Sequence, residues 1–92
     1  MGNVAVTVIG REACHLCDDA TDLITVVLED FTNVSLEKRL VEEDPAWLEF
    51  YTDKVPVILI DGVEHGYWRV NEAIFRGALM AAGALSHEKK SE

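Results

Sequence analysis

Arg11-Glu12-Ala13-Cys14-His15-Leu16-Cys17-Asp18 holds both cysteines of the chain, spaced Cys-x-x-Cys. It stands where an apolar run, Val4 to Ile9, gives way to a pattern of helical spacing. A dithiol at the end of a strand and the start of a helix is a redox arrangement. Backbone N–H groups at a helix N-terminus lack intrahelical partners, and the macrodipole adds partial positive charge. Both favour a thiolate over a thiol, and the thiolate is the nucleophile. The first cysteine then attacks a disulfide. The second, one turn on, resolves the mixed disulfide.

Upstream, Val4-Ala5-Val6-Thr7-Val8-Ile9 is β-branched and nearly all apolar, which predicts a strand buried on both faces and broken by Gly10. Downstream, Leu16, Ala20, Leu23, Ile24, Val27, Leu28 and Phe31 form one apolar stripe, predicting a helix from His15 to Asp30. Val34-Ser35-Leu36-Glu37 alternates as a half-exposed strand does. Asp44-Pro45 reads as the cap and first residue of a short helix whose Trp47, Phe50 and Tyr51 serve packing rather than a ligand cage.

Val55-Pro56-Val57-Ile58-Leu59-Ile60 predicts a second buried strand, and Asp61-Gly62 a two-residue hairpin into a partner running from Val63 to Val70. Asn71 caps a last helix with an apolar side of Ile74, Phe75, Ala78, Leu79 and Ala82, ending near Gly83. The tail 86–92 is polar and expected to fray. The order βαβαββα predicts an α/β domain with a four-stranded mixed sheet flanked by three helices. Its first two crossovers are expected to be right-handed and parallel, and its last two strands a hairpin.

The 92 residues fit a single domain (1–92), and with 49% apolar residues that domain can fill a core without staples. There are 17 acidic against 8 basic side chains, a net charge of −9, which argues against nucleic acid or an anionic membrane surface as partner. No stretch reaches the length of a membrane span, and the start lacks the pattern of a signal peptide. Met1-Gly2 opens like a myristoylation site, but Val6 stands where that motif wants Ser or Thr. The expectation is a cytoplasmic monomer, where two cysteines are seldom a permanent staple.

The element order, with Cys-x-x-Cys after the first strand and Val-Pro before the third, resembles the thioredoxin fold in its short form. The Cys-His-Leu-Cys-Asp motif is most similar to that of small glutaredoxin-like proteins, and the resemblance runs from Val4 to Ala82. It implies a thiol–disulfide oxidoreductase acting on small-molecule or protein disulfides, with Cys14 attacking and Cys17 resolving. It implies no tightly bound cofactor, and leaves glutathione open as co-substrate.

The resemblance also makes Val55-Pro56 the loop with a cis proline facing the dithiol, where the main chain of Val55 pairs with an extended substrate. X-Pro bonds are where cis peptides occur. Arg11, three positions before the first cysteine, matches a basic residue that draws a glutathione carboxylate. His15 would supply charge or a proton, while Asp18 would oppose the thiolate.

Two departures bear on substrate. Typical glutaredoxins carry Pro-Tyr between the cysteines, against His15-Leu16 here. They also carry a glycine pair and paired aspartates ahead of the last helix, where this chain has Tyr67-Trp68-Arg69-Val70-Asn71-Glu72. A different thiol donor or a protein substrate therefore stands beside glutathione.

The rival readings are a copper or zinc carrier, with His15 and His65 as further ligands, and a redox-sensing interaction module. Copper-carrying modules place Met two positions before the first cysteine, where Glu12 stands here. A closed zinc site wants four ligands, and the site expectation is accordingly of no metal.

Overall fold

Strand β1 (Val4–Gly10) is the spine of a four-stranded sheet of order β2-β1-β3-β4. The computed structural model describes residues 3–86. Helix α1 (His15–Leu28) carries the chain from β1 to β2 (Val34–Leu40), which pairs parallel with β1, Val4 opposite Val34 and Gly10 opposite Leu40. A 3-10 turn (Val41–Glu43) and helix α2 (Pro45–Tyr51) follow. Then come β3 (Val57–Ile60), β4 (Val63–Tyr67) and α3 (Glu72–Ala81).

The expected element order and hairpin are present, and the direction of one crossover is corrected. The second crossover is not parallel: β3 runs antiparallel to β1, with Ile9 opposite Val57 and Val6 opposite Ile60. A seven-residue α2 turns the chain back at the end of the sheet where β2 finishes, so β3 starts there and runs the other way.

Alternate residues of β3 feed two cores. Ile58 and Ile60 join Val4, Val6 and Val8 of β1, Ile24 and Val27 of α1, and Phe75 and Leu79 of α3. Val57 and Leu59 point the other way, into a smaller cluster with Ile9, Val41, Val55 and Cys17, on which Trp47 and Tyr51 of α2 pack. The period of two in a strand sends successive side chains to opposite faces, and all four residues of β3 are buried accordingly.

Local chemistry places the ends. Asp44 caps α2 by accepting from the Ala46 N–H at 2.8 Å, with Pro45 at the first position. Asn71 caps α3 by accepting from the Ile74 N–H at 3.0 Å. Asp61 and Gly62 take φ of 53° and 82°, the left-handed pair of a tight hairpin turn. Beyond α3, Gly83 is left-handed at φ 107°, and the Ala84 N–H returns to the Leu79 carbonyl.

Several apolar assignments move. Leu16, Phe50 and Ile74 are exposed rather than packed, and Ala82 lies outside the core. Cys17, expected to be the more buried of the two cysteines, is buried. Gly10 does not break β1 but is its last paired residue. β2 continues three residues past Glu37, because main-chain pairing with β1 carries it through the charged Lys38-Arg39 edge. Val55 and Pro56 precede β3 rather than belong to it, and β4 stops at Tyr67. Ser86 of the expected frayed tail bridges Phe31, and the rest of that tail, 87–92, lies outside the described residues, as do Met1 and Gly2.

Candidate dithiol site

The two cysteines sit where β1 ends and α1 begins. Ala13 takes φ 57° and turns the chain so that Cys14, extended at φ −112° and ψ 106°, becomes the N-cap of α1. A left-handed alanine costs on the order of 1–2 kcal/mol, and such costs gather at sites whose geometry the surrounding fold imposes. The Cys14 Sγ accepts from the Cys17 N–H at 3.1 Å, the place a capping oxygen usually takes. The Cys14 carbonyl accepts from the Asp18 N–H at 3.1 Å, closing the first turn.

Cys14 and Cys17 form a disulfide, with Cα atoms 5.2 Å apart. The pair is asymmetric. Cys14 is half-buried, whereas Cys17 is buried against Ile9, Val41 and Val57. Gly10 makes that depth attainable: a β-carbon there would meet the Cys17 Sγ at 2.8 Å. Of the two sulfurs Cys14 carries the more accessible one, and a donor aimed at it suits a thiolate.

Val55 stands in the same cluster as both cysteines. The Val55-Pro56 bond is cis, and Pro56 is fully buried. The Pro56 carbonyl accepts from the Trp68 N–H at 2.9 Å. The N–H and C=O of Val55 make no hydrogen bond among the described residues. An unpaired donor and acceptor in the dithiol's cluster form a short open main-chain edge.

The other two residues marked in the sequence stand apart. Arg11 is exposed, and its Nη2 donates to the Thr52 carbonyl at 2.6 Å, so it ties the dithiol loop to the end of α2. His15 is exposed at the first position of α1 and engages no side chain among the described residues. His65, weighed as a metal ligand, packs its ring edge-on to Phe75 at 5.6 Å. Among the described residues no group of three His, Cys, Asp or Glu side chains is placed to hold a metal ion.

Two clefts flank the dithiol. One of about 420 Å³ lies between the start of α1 and the end of β2, with Gly10, Cys17, Thr21, Lys38 and Leu40 in its lining. At its rim Arg39 bridges Glu37 at 2.7 Å and Glu43 at 2.6 Å. The Leu40 N–H and Arg39 hold the Glu43 carboxyl below the usual range, and both carboxylates raise Arg39. The other cleft, about 320 Å³, lies between α1 and the loop after β4, with Leu16, Ala20, Leu23, Trp68 and Val70 in its lining. On the α2 side, burial and the nearby Glu64 raise the Tyr51 phenol.

Sequence reading missed Gly10, Ala13 and Thr52 as parts of this site, and met Trp68 only as part of the segment that replaces the family's glycine pair. A glycine four residues before Cys14 was a visible signal of close approach. Nothing in the sequence marks Ala13 as left-handed or couples Thr52 to Arg11.

The family model described as "Glutaredoxin-like domain (DUF836)" matches residues 5–79. An uncharacterized protein of Mycobacterium tuberculosis is 26% identical over 76 residues, 78% of each chain. A structural-genomics target protein from X. campestris is similar at 26% identity and a TM-score of 0.66, over 83% of this chain and 96% of that one. A thioredoxin mutant from Halobacterium salinarum, 18% identical, aligns over 87% of this chain and 74% of its own at a TM-score of 0.62, which places this chain in the thioredoxin fold.

Proposed function

The chain belongs to the glutaredoxin-like domain family, and on that premise we propose that it is a thiol–disulfide oxidoreductase in which Cys14 attacks and Cys17 resolves. The observation that carries this reading is the position of Cys14. It caps α1 with its sulfur accepting the Cys17 N–H, half-exposed, in one cluster with the open main chain of Val55.

The chemistry runs in two exchanges. The Cys14 thiolate attacks one sulfur of a substrate disulfide. That bond breaks, the departing thiolate takes a proton from water, and a mixed disulfide remains on Cys14. The Cys17 thiol then loses its proton, attacks the Cys14 Sγ and expels the second substrate thiol. The substrate gains two electrons, and the protein ends in the oxidised Cys14–Cys17 form. Two molecules of a small thiol return the protein to the dithiol by the reverse chemistry and leave as their own disulfide. A monomer in a reducing, cytoplasmic setting fits this cycle; no helix among the described residues is long and apolar enough to cross a membrane.

In this reading Val55 pairs with substrate main chain, while Pro56, with no N–H, holds the loop against Trp68. Arg11 adds positive charge at the rim, and His15 stands exposed beside Cys14. The test uses a Cys17→Ser variant with bis(2-hydroxyethyl) disulfide at neutral pH, following the adduct on Cys14 by intact mass. Attack faster than that of a cysteine in a short unstructured peptide is expected. A rate no faster than the peptide's rejects the catalytic reading.

A further inference from the structure

The loop between β4 and α3 holds a feature that the dithiol chemistry by itself does not need. Trp68 takes φ 69°. The Arg69 N–H donates to the Tyr67 carbonyl at 2.9 Å across it, a γ-turn with tryptophan at its centre. A left-handed conformation is free for glycine and an outlier for a bulky side chain. The fold holds Trp68 there from both ends. Its N–H bonds the Pro56 carbonyl at 2.9 Å, and its indole Nε1 donates to the Asp53 carbonyl at 2.9 Å. Both acceptors lie in the segment that carries Val55. The residue is nonetheless 53% exposed and lines the same cleft as Leu16, itself 49% exposed and two positions from Cys14. A strained, anchored and half-exposed indole beside an open main-chain edge is built for contact rather than for the core.

The adjoining helix end narrows the substrate further. The N-terminus of α3 is already capped by Asn71, and Glu72 in its first turn is held by Arg76 at 3.0 Å. A free carboxylate arriving there meets an occupied N–H and a like charge. Glu12, Asp18 and Asp19 are exposed around the dithiol in a chain of net charge −9. An anionic small thiol is therefore disfavoured, and a polypeptide without acidic residues beside its cysteine is favoured.

We infer that Trp68 is a specificity-determining residue: its indole receives an apolar side chain next to the cysteine of an extended peptide disulfide whose main chain pairs with Val55. This rests on the dithiol reading above. The Cys14 thiolate attacks the peptide's sulfur, the peptide's former partner leaves as a thiol, and the peptide stays on Cys14 until Cys17 displaces it.

The experiment compares three disulfide probes on the Cys17→Ser background: a peptide with leucine next to its disulfide-bonded cysteine, the same peptide with aspartate there, and glutathione disulfide. With Trp68 present the leucine peptide is expected to react fastest. Trp68→Gly, which suits the left-handed backbone and so keeps the fold, is expected to lower the ratio of the leucine-peptide rate to the aspartate-peptide and glutathione disulfide rates about tenfold. Trp68→Phe, which keeps an aromatic face but loses the bond to Asp53, is expected to retain most of the preference. Equal slowing of all three probes by Trp68→Gly, or no slowing of the leucine peptide, overturns the inference. Failure of Cys14 with bis(2-hydroxyethyl) disulfide as well would instead reject the dithiol reading.

Discussion

A β-carbon on Gly10 would lie 2.8 Å from the Sγ of Cys17 and 3.0 Å from its Cβ. The last residue of β1 and the buried cysteine of α1 therefore share one space, and Cys17 reaches its depth because Gly10 leaves it empty.

Gly10→Ala is expected to push Cys17 outward and destabilise the protein by about 1–3 kcal/mol, the usual cost of overpacking. Neighbouring Ile9 and Val57 are fully buried and offer little room for relief. Urea unfolding of the oxidised protein measures it. The control is Gly77→Ala in α3, where a β-carbon meets nothing within 4 Å. That change is expected to stabilise by about 0.5–1 kcal/mol, because glycine in a helix interior costs backbone entropy. Equal effects at the two sites would remove the packing argument.

Arg11 bonds the Thr52 carbonyl across 41 residues of sequence. Thr52 is the C-cap of α2 and also donates its hydroxyl to the Leu48 carbonyl. Arg11→Ala is expected to cost about 0.5–1.5 kcal/mol, the net worth of such a bond. It should loosen the end of α2, so chymotrypsin is expected to cut faster after Phe50 or Tyr51. An unchanged cleavage rate would mean that the tether does not hold α2 in solution.

Glu43 carries an acid dependence of known sign. Its folded pKa is depressed, first by the Leu40 N–H at 2.9 Å and then by Arg39. The ionised form is therefore the one the fold favours. Its contribution is complete above the unfolded glutamate value, about 4.3, and disappears as pH falls through the folded value. Wild type is expected to unfold at a higher urea concentration than Glu43→Gln at pH 7. The difference should shrink once pH drops below about 4.3. A difference that persists in acid would assign the effect to something other than the carboxylate charge.

Much of the architecture was legible in the chain itself. The β-branched apolar run at Val4–Ile9, the helical stripe after Cys14, the Asp44 and Asn71 caps and the Asp61-Gly62 turn are local signals, and each formed the element it announces. Local propensity and apolar period need only near neighbours. The dithiol was equally visible, since both cysteines lie in one turn.

What the chain could not announce depends on residues far apart in sequence. The direction of β3 follows from where α2 delivers it, not from the strand's own residues. The burial of Cys17 was expected, but the exposure of Leu16 was not, nor the space beside Gly10 that admits the sulfur at that turn. Arg11 reads as a free rim charge until Thr52 is brought beside it. The missing glycine pair and its bearing on glutathione were legible, but the backbone that replaces it was not. Only the contacts of Trp68 with Pro56 and Asp53 hold a tryptophan in a backbone conformation that favours glycine. Local sequence thus determined the elements, the reactive pair and which of its cysteines is the more buried, and tertiary packing decided how Cys17 is seated and what surface surrounds the pair, because burial and long-range hydrogen bonds exist only once distant segments meet.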